Sequence, residues 1–255
     1  MQLPLTPKMF LIVCPLLFIA GFVDAIGGGG GLISLPAYLF AGLPIHTTIA
    51  TNKLSSSCGT ALATGRFLKA GLINIKLAVP SVIAAILGSS LGAQLSLRMS
   101  EQVMKGVLLV VLPIAAFFVL NKHLFDGKEG KELTLDARTY ITAILSAFVI
   151  GIYDGFYGPG TGTILIIAFT VFAKLNVSSA NAQAKVINLT TNLTSLAIFL
   201  YNGQALIPLG LAAALCNMLG NYFGSGLVMT KGSKIVRPII LVVLGLLLIK
   251  ILTDF

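Results

Sequence analysis

The sequence Gly21-Phe22-Val23-Asp24-Ala25-Ile26 runs directly into five consecutive glycines, 27–31, which are followed by an apolar stretch over 32–43. Each glycine costs a helix about 1 kcal/mol relative to alanine, so a helix cannot continue through five of them. In a bilayer, such an interruption survives only where protein or a wet cavity surrounds it. The stretch therefore predicts a broken transmembrane helix and a candidate binding site. The alternative is that the glycines serve only close helix packing.

The composition of the chain is that of an integral membrane protein. Of its 255 residues, 56% are hydrophobic and only 10% are charged, whereas a soluble domain carries about 25% charged residues. The net charge of +9 does not point to nucleic acid, because the basic residues lie mainly between the apolar runs. There they indicate the orientation of the chain in the membrane. The three cysteines have no metal-site or disulfide spacing, and we expect no metal and no cofactor.

Apolar runs divide the chain into ten segments. They cover about 9–26, 32–43, 47–68, 73–97, 101–121, 139–157, 162–174, 178–201, 204–230 and 233–253. Two of them, 32–43 and 162–174, are shorter than the roughly 20 residues that a crossing requires, so we expect half-crossing or strongly tilted helices there. Residues 121–138 mix both charge signs with glycine and predict a polar linker. The domain prediction is therefore an N-terminal transmembrane repeat, 1–120, and a C-terminal one, 139–255, which together form one membrane domain.

The two halves repeat each other. Gly21-x-x-Asp24 and Gly28-x-Gly30 recur 130 residues later as Gly151-x-x-Asp154 and Gly158-x-Gly160, and with an offset of 132 Lys53 corresponds to Lys185. An odd number of segments in each half would turn the second copy upside down. The predicted fold is all-α: a polytopic transmembrane helical protein with two inverted repeats of about five segments each and glycine-broken helices near the midplane.

The basic residues test this topology. If each half has an odd number of crossings, one side collects Arg66, Lys69, Lys76, Lys122, Lys128, Lys131, Arg138, Lys174, Lys231, Lys234 and Arg237, whereas the other side keeps Lys8, Arg98, Lys105 and Lys250. If each broken pair is instead one kinked crossing, the charges are spread almost evenly. The positive-inside rule favours the odd count, with the linker in the cytoplasm and both termini outside it.

Two lysines lie inside apolar segments at matching positions. A charge near the bilayer centre costs at least about 2.5–3.5 kcal/mol, so it usually has a partner or a wet, functional setting. Lys53 and Lys185 could flank one anion; alternatively they snorkel to an interface or pair with Asp24 and Asp154. These aspartates either form such pairs or accept a coupling proton. Neutral donors could come from the neighbouring polar residues, which are Asn52, Ser55, Ser56, Ser57, Asn188, Thr191 and Asn192.

The helix starts after the two breaks would also favour an anion, because they carry unpaired N–H groups and a positive dipole end. The predicted substrate-binding set is therefore Lys53, Lys185, Gly28, Gly29, Gly30, Gly158, Gly160, Thr161, Asn52, Asn188 and Asn192.

At these residues the sequence resembles the TauE/SafE family of membrane transporters, the sulfite exporter or toluenesulfonate uptake permease family, and in particular its uncharacterised bacterial inner-membrane branch. The stretches that carry the resemblance are Gly21-Phe22-Val23-Asp24-Ala25-Ile26-Gly27-Gly28-Gly29-Gly30, Ala50-Thr51-Asn52-Lys53-Leu54, Tyr153-Asp154-Gly155-Phe156-Tyr157-Gly158-Pro159-Gly160 and Ala184-Lys185-Val186-Ile187-Asn188. The resemblance implies a multi-pass protein of a bacterial inner membrane that passes small sulfur-containing anions such as sulfite, thiosulfate or organosulfonates.

The function expected from the sequence is secondary transport of a small anion by alternating access, with the lipid bilayer as the surroundings and possible proton or ion coupling. The chain has no Walker A loop for ATP. A passive anion channel shares every motif named above. An intramembrane enzyme is disfavoured, because the only two histidines, His46 and His123, lie outside the apolar segments. The substrate, the direction of transport, the coupling ion and the oligomeric state stay open.

Overall fold

The computed structural model describes residues 5–104, 106 and 136–231, and every regular element in these ranges is a helix. The helices are α1 Pro7–Gly27, α2 Gly31–Phe40, α3 Ile45–Lys69, α4 Ile75–Arg98, α5 Ala137–Phe156, α6 Thr161–Val171, α7 Val177–Tyr201 and α8 Ile207–Lys231. Eight of the ten predicted segments are thereby matched. The segments 101–121, apart from its first residues, and 233–253, and nearly all of the linker 121–138, lie outside the described residues.

The helices differ in length and polarity as a membrane protein requires. Among the described helices, α1, α4, α5 and α8 are long and apolar enough to cross a bilayer, whereas α2 and α6 are short apolar helices. Helices α3 and α7 have 25 residues each, and they carry the two lysines and most of the polar residues between them. The prediction of an all-α, polytopic membrane protein is confirmed.

Both glycine-rich stretches interrupt a helix. Helix α1 ends at Gly27, and Gly28 has the left-handed φ of 73° that lets the chain turn before α2 begins at Gly31. In the second half α5 ends at Phe156, and the chain reaches α6 through Gly158 and Gly160, with φ values of 94° and 77°. Because only glycine adopts these angles without strain, the predicted breaks are confirmed at residue level.

Helices of one half pack closely on helices of the other, α1 on α8 and α4 on α5. Gly88 of α4 lies against the backbone of Phe148, and the corresponding Gly220 of α8 lies against the backbone of Phe18. A side chain at either position would collide with this backbone. Small residues are the usual means by which membrane helices approach each other so closely, so these repeated glycines serve packing.

The directions of the helices follow from which residues meet. Helix α8 runs parallel to α3, because Thr51 contacts the start of α8 at Leu206 and Arg66 contacts its far end at Tyr222. Helix α7 runs antiparallel to α3, because Lys53 meets Asn192, whereas Thr64 meets the earlier Lys185. The third helix of one half thus runs opposite to the third helix of the other. This supports the inverted repeat, which stays a prediction.

The same directions separate the charges of the described residues. Helix α4 starts where α3 ends. Helix α5 runs parallel to α4, because Gly88 lies against Phe148 and the later Gly92 lies against the later Ile152. Helix α7 starts beside the end of α3, because these two helices are antiparallel. One end of the bundle therefore carries Arg66, Lys69, Lys76, Arg138, Lys174 and Lys231, whereas the opposite end carries Lys8 and Arg98. The charges are divided as the sequence predicts for an odd number of crossings, although the orientation in a bilayer stays a prediction.

Candidate functional site

The two broken helices meet at the centre of the structure. Gly28 of the first break lies against the backbone of Gly162, so neither position has room for a side chain. The Thr163 hydroxyl donates to the carbonyl of Gly27 at 2.6 Å, and the Asn181 amide donates to two further carbonyls near the end of α1 at 3.1 Å. Carbonyls at a helix end have no intrahelical partner. Side chains of the second half therefore satisfy the broken end of the first.

Lys53 forms an ion pair with Asp154 of the opposite half. Its Nζ lies 2.7 Å from Asp154 Oδ2 and 3.0 Å from Asn192 Oδ1, and the two charged side chains are only 2% and 4% exposed. The other carboxylate oxygen, Oδ1, accepts a hydrogen bond from the Thr161 hydroxyl at 2.7 Å. Both oxygens of Asp154 thus have a short, strong donor.

Lys185 forms the corresponding pair with Asp24 of the first half. Its Nζ lies 2.6 Å from Asp24 Oδ2, and its side chain is fully buried, whereas that of Asp24 is 16% exposed. Within the described residues, the second oxygen of Asp24 accepts a hydrogen bond from the Gly30 N–H alone, at 3.4 Å. Neither lysine snorkels to an interface. Each one forms an ion pair with an aspartate of the opposite half. A role for them in substrate binding stays a prediction.

A small cavity lies between these two pairs. Its volume is about 30 Å³, which is room for about two waters. Among the predicted site residues, those that line the cavity are Asp24, Gly28, Asn52, Lys53, Asp154, Gly158, Thr161, Asn188 and Asn192. Ser56 of the predicted donor set also lines it. The structure therefore brings residues from both breaks and both lysine helices to one place.

Four predicted site residues, Lys185, Gly29, Gly30 and Gly160, are not part of the cavity wall. Lys185 lies behind Asp24, to which it is bound. Gly30 faces its own helix α1, where an added Cβ would lie 2.5 Å from Asp24 Cβ. Near Gly160 the closest atoms to an added Cβ are the methyl groups of Leu32, at 3.9 Å. Neither glycine therefore presents a surface to the cavity.

Three lining residues were missed: Gly31, Tyr157 and Gly162. Their position within the two breaks was the available signal, since all three belong to the interrupted stretches. The amide N–H groups of Gly31 and Gly162 lie in the first turns of α2 and α6, and neither has a hydrogen-bond partner within the described part of the chain. The short helices thus begin at the cavity with free donors, as expected for an anion site.

Three asparagines provide further donors. The side-chain NH₂ groups of Asn52, Asn188 and Asn192 donate to no group in the described residues, and all three line the cavity. Each such group offers two N–H donors. Together with the Lys53 ammonium, they supply donors to the cavity beside the carboxylates of Asp24 and Asp154. Oxyanion oxygens are suitable partners for this set of donors.

Comparisons with known proteins agree with this architecture. The family model described as Sulfite exporter TauE/SafE matches residues 13–251. The chain belongs to the TauE/SafE family. Similar members include a probable membrane transporter protein of Haemophilus influenzae, 36% identical over 92% of its length and 93% of this chain. Another is the probable membrane transporter protein ORF9 of a Sinorhizobium species, 35% identical over 90% of its length and 93% of this chain.

The probable membrane transporter protein YfcA of Escherichia coli is 31% identical over 91% of its length and 98% of this chain. No solved structure matches the chain. Since these relatives are named as probable membrane transporters and the helices suit a bilayer, this TauE/SafE chain is a multi-pass membrane transporter.

Proposed function

We propose that this TauE/SafE protein is a secondary transporter that carries a small anion, sulfur-containing and of the class of sulfite, thiosulfate or an organosulfonate, through the cavity between its halves. The observation that carries the proposal is the cavity itself, where the Lys53 ammonium and the free NH₂ groups of Asn52, Asn188 and Asn192 converge. The family description supports a sulfur oxyanion in particular.

The transport mechanism that fits this site is alternating access. The two lysine–aspartate pairs join opposite halves, so the cavity lies at the boundary along which one half would rock against the other. Oxyanion oxygens would take hydrogen bonds from the asparagine amides and from the helix starts at Gly31 and Gly162. With no ATP-binding loop in the sequence, ion gradients or the substrate's own gradient would supply the energy.

The proposed location is a bacterial inner membrane, with both termini outside the cytoplasm. The support is the accumulation of cations at one end of the helix bundle, which the positive-inside rule assigns to the cytoplasm. A periplasm-active and a cytoplasm-active reporter, each fused after Phe255, would test this orientation. Activity of the periplasmic reporter is expected, and activity of the cytoplasmic one would overturn the inverted arrangement.

Transport assays in proteoliposomes test the function. The purified protein would be offered labelled sulfite, thiosulfate, methanesulfonate and, as a carboxylate control, acetate. We expect saturable uptake of at least one sulfur oxyanion and its loss in Asn188→Leu, because leucine fills the cavity and removes two donors. Thr190→Ala, a matched change on the same helix at a residue outside the cavity wall, should transport normally.

Two results would contradict the proposal. Uptake that rises linearly with concentration without saturating would identify a channel. Equal uptake by wild type and Asn188→Leu would move the pathway away from this cavity.

A further inference from the structure

The charges around the cavity cancel. Lys53 and Lys185 contribute two positive charges, and Asp24 and Asp154 contribute two negative ones. An anion that enters this neutral cluster alone leaves one uncompensated negative charge in a buried site, which is expensive. A proton that binds one carboxylate restores neutrality, because the charge of one lysine is then left to offset that of the anion. The charge balance therefore favours binding of an anion and a proton together.

The two carboxylates differ in how well their ionised forms are held. Both oxygens of Asp154 accept short hydrogen bonds, from Lys53 at 2.7 Å and from Thr161 at 2.7 Å. Asp24 accepts one short hydrogen bond, from Lys185 at 2.6 Å, whereas its other oxygen has a single N–H at 3.4 Å. Hydrogen bonds to a carboxylate stabilise its ionised form. The Asp24 carboxylate is therefore the less strongly held in its ionised form.

Water can also reach the two carboxylates unequally. The Asp24 side chain lines the cavity and is 16% exposed, whereas that of Asp154 is 4% exposed. A proton from the cavity therefore reaches Asp24 more readily. Asp24 Oδ1 can receive it, because its one hydrogen-bond donor in the described part of the chain is the distant N–H of Gly30.

The other titratable and charged groups around Asp24 are few. Helix α7 contributes Lys185, α3 contributes Lys53, and α5 with the turn after it contributes Asp154 and Tyr157. Among the described residues, the cavity wall from α2 and α6 consists of glycines and Thr161. Helix α8 contacts α1 near Asp24 through asparagines and glycines, which do not titrate. Among the described residues, no acid other than Asp24 and Asp154 lines the cavity, so proton binding there is a choice between these two.

We propose that Asp24 is the proton-binding site of this transporter and that one proton binds there together with each monovalent anion. This rests on the proposed anion transport through the same cavity. The proton comes from a hydronium ion: one O–H bond of the hydronium breaks, one forms at Asp24 Oδ1, and a water molecule is left. The charge of the Lys185 ammonium behind Asp24 is then no longer cancelled and offsets that of the anion, while Asp154 and Lys53 stay paired. Transport of a monovalent anion is then electroneutral.

Infrared difference spectroscopy tests proton binding without any substrate. For the wild-type protein in liposomes, we expect a carbonyl band of a buried protonated carboxyl group to grow as the pH falls, at a frequency distinct from that of exposed acids such as Glu101 and Asp136. This band should be absent in Asp24→Asn and present in Asp154→Asn. Because Asp24→Asn leaves Lys185 without its partner, the double variant Asp24→Asn/Lys185→Gln provides a second test in which both charges are gone, and it should also lack the band. A band that disappears in Asp154→Asn and remains in Asp24→Asn would overturn the assignment.

Uptake of methanesulfonate, a monovalent anion that does not titrate in this range, tests the coupling. In the wild type an inward proton gradient should increase uptake several-fold, and a membrane potential should have no effect. In Asp24→Asn any remaining uptake should no longer respond to the proton gradient. If a sodium gradient drives wild-type uptake and a proton gradient does not, the proposal is overturned.

The two experiments separate this inference from the proposed function. If none of the sulfur anions is transported but the infrared band depends on Asp24, the proton site stands and the proposed function fails. If transport is observed and the band is independent of Asp24, the function stands and the proton site fails.

Discussion

The two lysine–aspartate pairs occupy matching positions in the two halves, yet their surroundings are different. Thr161 supports Asp154, whereas the position that corresponds to it by the 130-residue offset is Gly31, which has no side chain to support Asp24. The second break is also held by the Tyr153 hydroxyl, which donates to Pro159 O at 2.6 Å. Both halves therefore have the ion pair, but within the described residues Asp154 has a second short hydrogen-bond donor and Asp24 does not.

This difference suggests a division of work between the halves. The pair of Lys53 and Asp154 is buried and fully hydrogen-bonded, which suits a fixed junction between helices α3 and α5. The pair of Lys185 and Asp24 has a carboxylate at the edge of the cavity, which suits an exchange of partners during transport. Variants that make the two pairs more alike, or that break them one at a time, test whether the difference matters.

The largest effect is expected from breaking each pair at its lysine. Lys53→Gln leaves the Asp154 carboxylate buried without a counter-charge, and such a loss typically costs about 3–5 kcal/mol. Lys185→Gln should cost less, because Asp24 is partly exposed in the cavity and can take up a proton. Thermal unfolding in detergent would measure both, with Thr190→Ala as a control outside the pairs.

Both lysine variants should still lose transport, since each removes a positive charge that helps to offset the charge of the anion. Equal destabilisation by the two substitutions would show that the two pairs are equivalent. Normal transport by both would show that the lysines only hold the structure together.

A smaller effect is expected from making the pair of Lys53 and Asp154 resemble the pair of Lys185 and Asp24. Thr161→Val keeps the shape of the side chain and removes the hydrogen bond to Asp154, for which about 1.5–3 kcal/mol is typical because the acceptor is charged. Thr163→Val is the matched control, since the neutral carbonyl of Gly27 loses its donor there at about 0.5–1.5 kcal/mol. Chemical unfolding of both variants gives the comparison, and an equal loss would mean that Asp154 does not depend on Thr161.

The smallest effect is expected from adding a methyl group to each break. Gly30→Ala places a Cβ against Asp24 Cβ and Ala20 O, and overpacking of this kind costs about 1–3 kcal/mol. Gly160→Ala has room but must hold a φ of 77°, which costs an L-residue about 1–2 kcal/mol.

The two glycines should also differ in how their cost changes with the size of the side chain. Enlarging the side chain from alanine to valine should increase the loss of folded protein at position 30 more than at position 160. Size-exclusion yield in detergent measures this, and an equal increase would show that both positions are crowded.

Much of this fold could be predicted because its signals are local. A run of glycines in an apolar helix and the lengths of the apolar stretches locate the breaks and the helix bounds to within a few residues. The pairing of Lys53 with Asp154 and of Lys185 with Asp24 remained one of several alternatives, because the partners lie far apart in sequence and meet only when the halves pack together.

The composition of the cavity wall could be predicted only in part. Gly30 and Lys185 belong to the right stretches, but whether a residue at a break faces the cavity or its own helix depends on the rotation of the short helices. That rotation is set by contacts such as the one between Gly28 and Gly162, and hydropathy contains no information about it.

Binding of thiosulfate to the purified protein most directly tests whether an anion occupies the cavity between the halves. The thermal unfolding midpoint would be measured against thiosulfate concentration for wild type and Asn188→Leu, with sodium chloride at matched ionic strength as the control. A ligand that binds only the folded protein adds about 2.7 kcal/mol of stability at a hundred times its Kd. We predict a saturable rise of the midpoint in the wild type and none in Asn188→Leu. An equal rise in both proteins, or one that sodium chloride reproduces, would contradict an anion site in this cavity.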